Sequence, residues 1–328
     1  MYKQPDSADP NLTLKTKAFL DALAKQKAKP LYELTYDQAR SVLLQAQSQQ
    51  ELPAQFDCDI TDETFHLDQD LSVDVRLYRP KGNPNTLPLL VYYHGGGWVM
   101  GDKRTHQRLM QQLCTQVGCA LLFVDYLNAP KGQYPFVLNQ DYGALKHIVQ
   151  NAATYKIDPE KVIVGGDSVG GNMAIVMCLM AKNDPEKQVR ILKQILLYPV
   201  TDSAMDSPSY QAFENGPWLT KKAMAYFWEA YAPDKTKRQE IFSSPLRASL
   251  DQLANLPPAF IITDENDVLR DEGEAFADRL SLAGNDVVAV RYKGTIHDFI
   301  MLDGLSDTAP AKAAVRQIVE ELKAGFAI

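Results

Sequence analysis

A Gly-x-Ser-x-Gly motif is the clearest sign of chemistry in the chain. It occupies residues 166–170 and places Ser168 between an apolar run, 162–164, and an apolar helical pattern that begins at Asn172. A serine between a strand and a helix sits on a turn so tight that its backbone is strained and its Oγ is exposed. The start of the following helix directs backbone N–H groups at developing negative charge. This context predicts that Ser168 is a nucleophile.

The alternative for this stretch is a glycine-rich turn that binds phosphate. The spacing does not match Gly-x-Gly-x-x-Gly, and no P-loop lysine follows the glycines. The nucleophile interpretation is therefore favoured.

A second glycine-rich segment, His-Gly-Gly-Gly-Trp at 94–98, follows the apolar run 89–93. Glycines leave backbone amides accessible, because no side chain shields them. A loop of this kind upstream of the nucleophile can supply two donors to an oxyanion, and the amide after the serine can supply a third. The candidate donors are Gly95, Gly96, Gly97 and Val169.

A serine nucleophile needs a general base on a loop after a late strand. His297 meets this condition, because it follows the apolar run that ends near Tyr292. His94 opens the glycine loop, where a structural hydrogen-bonding role is favoured. The other histidines lie in an early strand or in helix-like segments: His66, His106 and His147.

The acid that orients the base is sought in the segment 261–271, which follows the earlier buried strand predicted at 259–262. Four carboxylates compete between 261 and 271: Asp264, Glu265, Asp267 and Asp271. Asp271, with Glu274, is predicted to cap the next helix. Spacing alone leaves Asp264 and Asp267 nearly tied.

The elements that must position these residues can be read from hydrophobic periodicity. Residues 71–78 alternate in period two, which predicts a half-buried antiparallel strand. Short apolar runs typical of strands buried on both faces follow, with helical patterns between them, at 87–93, 120–124, 162–164, 195–198, 259–262 and 287–290. This alternation predicts a doubly wound α/β sheet.

Two regions depart from this rhythm. The first ~55 residues are helical by pattern, and Thr35 with Gln38 forms a predicted capping box. Between 201 and 250 no strand is predicted, and Met224, Phe227 and Trp228 mark one face of a helix instead. Both regions could form a lid over the site, or they could be an extra packing layer.

Composition narrows the class of protein. The 328 residues carry a net charge of −7, which argues against nucleic acid or anionic membrane as a partner. The longest apolar run, 173–181, is too short to span a bilayer. The N-terminus lacks the apolar region of a secretory signal. Four cysteines beside apolar residues predict buried free thiols rather than disulfides: Cys58, Cys114, Cys119 and Cys178. We expect a cytoplasmic protein with a small-molecule substrate, no membrane anchor, no metal and no cofactor.

Together the motifs resemble the bacterial hormone-sensitive-lipase family of carboxylesterases. The family pattern joins His-Gly-Gly-Gly to Gly-Asp-Ser-x-Gly-Gly and Asp-x-Leu-Arg-Asp-Glu, and these stand here at 94–97, 166–171 and 267–272, with His297 later. Segments outside the motifs, such as 196–202, also resemble the family, so the likeness covers nearly the whole chain.

The resemblance implies an α/β-hydrolase fold: a mostly parallel central sheet with helices on both faces and a helical cap. It implies that Asp267 is the acid and that Gly96, Gly97 and Val169 supply the oxyanion amides. Residues 1–55 and 201–250 would form the cap, and 56–200 with 251–328 the catalytic domain. Relatives also imply short- to medium-chain acyl esters and a possible homodimer.

Three departures from the family pattern bear on substrate preference and pH optimum. The usual alanine after the serine is Val169, which adds bulk beside the nucleophile. The usual glycine after the histidine is Asp298, whose charge is expected to raise the pKa of the base. At 125–131 the usual arginine and glutamate are replaced by Leu127 and Lys131.

Three functions compete at this stage. The first is a carboxylesterase, with a substrate pocket that aromatic side chains could line: Trp98, Tyr210, Phe213 and Trp218. The second is a binding protein of the same fold, like plant hormone receptors that lack the catalytic histidine, and the presence of His297 argues against it. The third is an amidase or carbamate hydrolase, because leaving-group preference depends on pocket shape.

Overall fold

The computed structural model describes residues 11–26, 28–47, 54–67 and 71–328. An eight-stranded sheet forms its centre, with the strand order β1-β2-β4-β3-β5-β6-β7-β8. The strands are β1 (Cys58–His66), β2 (Ser72–Pro80), β3 (Leu87–Tyr93), β4 (Ala120–Asp125), β5 (Ile157–Asp167), β6 (Ile191–Leu197), β7 (Ala259–Asn266) and β8 (Val287–Ile296).

The sheet is mostly parallel. The strand β2 pairs antiparallel with both β1 and β4, and every other pairing is parallel. Along β2 the residues Val73, Val75 and Leu77 are buried, and those between them are more exposed. The predicted half-buried antiparallel strand and the α/β class are therefore confirmed.

Burial along the strands agrees with the sequence prediction except at one edge. All seven residues of β3 are buried, as a strand covered on both faces requires. The prediction for 287–290 is wrong on this point, because those four residues are exposed or only half-buried. The reason is that β8 is the last strand of the sheet, with β7 as its single neighbour.

Helices lie between the strands and at both ends of the described chain. They are α1 (Leu14–Lys25), α2 (Tyr36–Ala46), α3 (Gln107–Val117), α4 (Phe136–Gln150), α5 (Ala152–Tyr155), α6 (Val169–Asn183), α7 (Pro208–Ala212), α8 (Lys221–Tyr231), α9 (Leu250–Leu253), α10 (Arg270–Leu282) and α11 (Ala309–Phe326).

Of the two helix caps predicted from local sequence, one is present and the other is not. The capping box of Thr35 and Gln38 is present at the start of α2. The predicted cap at Asp271 is wrong, because α10 begins one residue earlier and has Leu269 at its N-cap position. The Asp271 carboxylate instead accepts a hydrogen bond of 2.7 Å from the backbone N–H of Ser209.

The segment 201–250 contains helices and no strand, as predicted. It contacts the N-terminal helices: the Tyr226 ring lies 5.1 Å from that of Tyr36, and the Trp218 ring lies 5.8 Å from that of Phe19. These contacts support the predicted joint cap, whose boundaries stay a prediction. Residues 1–10, 27 and 48–53 of the cap prediction lie outside the described residues.

The four cysteines are buried and free, which confirms the prediction of free thiols. Among the residues that the structure describes, no helix combines the length and apolarity needed to cross a membrane.

Candidate active site

The turn between β5 and α6 holds Ser168 in a strained conformation. Its φ of 55° and ψ of −120° are unusual for a residue with a side chain, and surrounding structure must stabilise them. The neighbouring glycines are sterically required. A Cβ atom on Gly170 would lie 2.0 Å from the carbonyl oxygen of Tyr93, and one on Gly166 would lie 2.3 Å from that of Gly170.

A chain of hydrogen bonds connects Ser168, His297 and Asp267. The Ser168 Oγ lies 2.9 Å from His297 Nε2, and His297 Nδ1 lies 2.7 Å from Asp267 Oδ2. The second oxygen of Asp267 accepts a bond of 3.0 Å from the Leu269 amide. All three side chains are buried. This arrangement can remove a proton from the serine hydroxyl and orient the imidazole that receives it.

The two aspartates that spacing left nearly tied have different surroundings. Asp267 bonds to His297, whereas neither carboxylate oxygen of Asp264 has a hydrogen-bond partner among the described residues. Burial, with the nearby charge of Asp267, raises the pKa of Asp264 well above its usual value. The neutral form of Asp264 is therefore the expected one.

The pKa of His297 depends on two carboxylates. Burial by itself lowers it, but the charges of Asp267 and Asp298 outweigh burial and raise the pKa to about 10. One oxygen of Asp298 lies 3.5 Å from His297 Nε2, and the other accepts a 2.9 Å bond from Trp218 Nε1. Burial raises the pKa of Asp298, and the charge of His297 opposes this rise. The charge of Asp298, 3.5 Å from the ring, therefore accounts for part of the expected rise in the pKa of His297.

Two of the three glycines in the loop border the cavity. Gly96 and Gly97 border the same cavity as Ser168 and have positive φ values of 109° and 65°. The prediction for Gly95 is wrong, because its N–H already donates to Asp167 Oδ1 at 3.0 Å. Val169 begins α6, so its amide has no acceptor within the helix.

Sequence reasoning missed a buried network beneath this loop. The Asp167 carboxylate accepts hydrogen bonds from Tyr92 Oη at 2.8 Å and from the Gly95 amide, and it lies 3.2 Å from His106 Nε2. Burial would raise the pKa of Asp167, but the charge of His106 leaves it below its usual value. The network ties the glycine loop to the residue before the nucleophile. No local pattern indicates it, since its members come from three separate segments of the chain.

His94 has the structural surroundings that were favoured for it. Its Nδ1–H donates to the Gly95 carbonyl at 2.8 Å, and its ring stacks on Tyr126 with a centroid distance of 4.0 Å. Burial lowers the pKa of His94 to about 4.

A cavity of about 360 Å³ opens beside Ser168. Most of the side chains around it are apolar, and they come from the N-terminal helices, the glycine loop and the segment 201–250. The lining residues are Lys29, Pro30, Leu31, Tyr32, Val42, Leu43, Gly96, Gly97, Met100, Ser168, Asn215, Trp218, Leu219, Thr220, Ala223, Met224, Phe227, His297 and Asp298.

Of the four aromatic residues predicted to line the pocket, only Trp218 does so. The prediction is wrong for Trp98, Tyr210 and Phe213, which are fully buried in the core. Trp98, for example, stacks on Tyr231 at 4.0 Å. The walls missed from sequence include Met224 and Phe227, because an apolar helix face looks the same whether it meets core or cavity.

One group of possible metal ligands occurs among the described residues: Asp264, Asp267 and His297, whose ligand atoms lie within 4.8 Å of one another. Both ring nitrogens of His297 are already within hydrogen-bond distance of Asp267 and Ser168. The group is thus accounted for by the Ser-His-Asp geometry.

Comparison with known proteins gives the family. Residues 90–301 match the family described as having the alpha/beta hydrolase fold. The crystal structure of a thermostable esterase from Pseudomonas putida is 40% identical, with a TM-score of 0.93 over 97% of this chain and 99% of that one.

Two further relatives carry related names. A carboxylic ester hydrolase, LipN, of Mycobacterium tuberculosis is 36% identical over 77% of this chain and 67% of its own length. An esterase of the fungus Gibberella moniliformis is 34% identical over 77% of this chain and 80% of its own length. The likeness therefore extends beyond bacteria, to which the resemblance had assigned it. The chain belongs to the alpha/beta hydrolase family and is an enzyme of the esterase type.

Proposed function

We propose that this enzyme hydrolyses carboxylic esters through an acyl-enzyme, with Ser168 as nucleophile, His297 as general base and acid, and Asp267 as the orienting carboxylate. The continuous hydrogen-bond chain from Ser168 Oγ to Asp267 Oδ2, on a strained turn at the wall of a cavity, carries this proposal. The hormone-sensitive-lipase motifs and the esterases among the relatives support it.

In the first half-reaction, Ser168 Oγ forms a bond to the ester carbonyl carbon while its proton moves to His297 Nε2. The carbonyl electron pair moves onto oxygen, and the amides of Gly96, Gly97 and Val169 stabilise that charge. When the tetrahedral intermediate collapses, the carbon–oxygen bond to the alcohol breaks. His297 Nε2 gives its proton to the leaving alkoxide.

In the second half-reaction, water gives a proton to His297 and attacks the acyl carbon. The intermediate collapses with return of the proton to Ser168 Oγ, and the carboxylic acid leaves. Throughout, Asp267 accepts the Nδ1–H bond and stabilises the imidazolium.

The cavity supports short- to medium-chain acyl esters as substrates. Its volume of about 360 Å³ is at the lower end of the range for small-molecule sites. Helices α2 and α8 supply Leu43, Met224 and Phe227 to its walls. We propose that residues 1–55 and 201–250 act as a cap that closes this space and limits acyl length.

The test measures hydrolysis of p-nitrophenyl esters from acetate to palmitate. Ser168→Ala should abolish turnover and labelling by a fluorophosphonate probe. Asp267→Asn should reduce kcat on the order of 10⁴-fold, as expected when the acid of such a triad is lost. Asp264→Asn is the matched control and should retain most activity. Turnover that survives Ser168→Ala, or an equal loss in both aspartate variants, would refute the assignment.

A further inference from the structure

Asp298 is a carboxylate in the cavity wall, next to the reacting groups. It borders the cavity together with Ser168 and His297, and 9% of the residue's surface is exposed. It is the only carboxylate among the described residues that line the cavity. The hydrolytic mechanism assigns it no step, so its presence there requires another explanation.

The carboxylate is held in place and keeps unused acceptor capacity. The indole of Trp218 donates one hydrogen bond to its Oδ2 at 2.9 Å. An ionised carboxylate has about four acceptor positions, so one donor leaves most of them free. The backbone of Asp298 has a φ of 68°, a conformation that favours glycine and that costs free energy for aspartate.

The position of Asp298 relative to His297 identifies which part of an ester it meets. During acylation, His297 Nε2 must come within about 3 Å of the leaving alcohol oxygen to protonate it. The Oδ1 of Asp298 lies 3.5 Å from the same nitrogen. The leaving oxygen therefore lies at most about 6.5 Å from the carboxylate, so groups attached close to it are within reach of that charge.

The surroundings make that negative charge effective. The cavity walls nearby are apolar or aromatic, including Met100, Met224 and Phe227, and a low dielectric strengthens Coulomb interactions. Aromatic faces such as those of Trp218 and Phe227 also attract cations. The cavity's lysine, Lys29, is exposed, so water and salt screen its opposing charge.

We propose that Asp298 makes the cavity selective for esters whose alcohol carries a positive charge, that is, esters of amino alcohols. Asp298 acts as the counter-ion and is a specificity-determining residue. The proposal rests on the ester hydrolysis proposed above, and it adds a substrate class to it.

The experiment compares two esters of nearly equal shape, acetylcholine and its uncharged carbon analogue 3,3-dimethylbutyl acetate. The ratio of their kcat/KM values cancels any effect on the protonation of His297, because both esters use the same base. Wild-type enzyme should favour the cation by about tenfold or more, because the form of His297 that acts as base is neutral and leaves the charge of Asp298 unpaired in a poorly solvated site. Asp298→Asn keeps the shape and an acceptor for Trp218, and it should bring the ratio close to unity.

The control is Asp278→Asn, which removes one negative charge from the exposed surface of α10 and should leave the ratio unchanged. A wild-type ratio near unity, or a ratio that Asp298→Asn does not lower, overturns the charge selectivity while ester hydrolysis stands. If neither ester is hydrolysed and p-nitrophenyl acetate is not either, the proposed function fails with it.

Binding provides a readout that does not depend on turnover. In the Ser168→Ala protein, calorimetry should show choline binding about tenfold or more tightly than 3,3-dimethylbutan-1-ol. The additional substitution Asp298→Asn should remove the difference. Equal affinities in the Ser168→Ala protein would contradict the proposal.

Discussion

At the scale of single residues, His297 has charged neighbours at both ring nitrogens. Asp267 contacts Nδ1. Asp298 lies near Nε2, the same nitrogen that must accept the proton of Ser168. The charges of these carboxylates raise the pKa of the imidazole above its usual value, so less of it is in the neutral form at a given pH. A protonated imidazole cannot accept the serine proton, so the neutral form that acts as base becomes more abundant as pH rises.

This predicts an alkaline pH dependence. The value of kcat/KM should rise with pH through a limb whose midpoint lies above the usual histidine pKa of about 6.5. Asp298→Asn removes one of the raising charges, so the midpoint should fall by roughly one pH unit. Stopped-flow or steady-state hydrolysis of a neutral ester across pH measures it.

Asp278→Asn is the control for the pH profile, because it removes the same charge from an exposed position on α10. A midpoint that is the same in wild type and Asp298→Asn would contradict the electrostatic account of His297.

Residue chemistry was predictable only where it is local in sequence. The glycine spacing around Ser168 and the late position of His297 point to their roles directly. The choice of Asp267 came from family resemblance, since Asp264 fits the spacing equally well. The bonds of Asp298 to Trp218 and of Gly95 to Asp167 join segments 80 and 72 residues apart, beyond the reach of any local pattern.

At the scale of elements, the turn from β5 to α6 passes very close to the end of β3. The absent side chain of Gly170 is what permits this approach, because a Cβ there would lie 2.0 Å from the Tyr93 carbonyl oxygen. That atom is backbone within a buried strand, so it cannot move aside without shifting the sheet.

Gly170→Ala should therefore lower the free energy of unfolding by about 3 kcal/mol or more, at the upper end of overpacking costs. Urea unfolding monitored by circular dichroism measures it. Gly118→Ala is the comparison: its φ is 77° but no atom lies within 4 Å of an added Cβ. It should cost only the left-handed backbone penalty, about 1–2 kcal/mol. A smaller loss for Gly170→Ala than for Gly118→Ala would refute the steric argument.

The elements themselves followed closely from the sequence, since period-two alternation and short apolar runs are direct consequences of strand geometry. The predictions that failed concerned burial, which depends on where an element lies in the tertiary structure. The exposure of β8 reflects its place at the sheet edge. The apolar face of α8 could not reveal that Phe227 meets a cavity whereas Trp228 meets the core.

At the scale of the whole molecule, one charged side chain of α2 connects this helix to two loops of the enzyme body. The Arg40 guanidinium donates to the carbonyl oxygens of Val99 at 3.0 Å and Ala129 at 2.9 Å. Val99 directly follows the glycine loop segment. The helix that contributes Leu43 to the cavity is thus fixed to the loop that borders the same cavity.

Arg40→Met should loosen this attachment while keeping the apolar stem of the side chain. Losing two charged hydrogen bonds should lower the local opening free energy by about 2 kcal/mol. Amide hydrogen exchange in 36–46 should then be faster by roughly thirtyfold, and that in α6 unchanged. Mass spectrometry of peptides resolves both regions.

The matched variant is Arg190→Met, whose side chain is 70% exposed and pairs with Glu160 on the surface. It should leave exchange in α2 as it is. Unaltered exchange at 36–46 in Arg40→Met would show that apolar packing alone holds the helix.

The three tryptophans of the chain are placed very differently. Trp98 and Trp228 are sealed in the core, 4.7 Å apart, whereas Trp218 borders the cavity and donates its indole N–H to a carboxylate beside His297. The fluorescence of Trp218 should therefore respond to a ligand in the cavity and to the charge of Asp298 beside it. The enzyme thus carries its own optical indicator, and ligand occupancy can be followed by intrinsic emission without any attached dye.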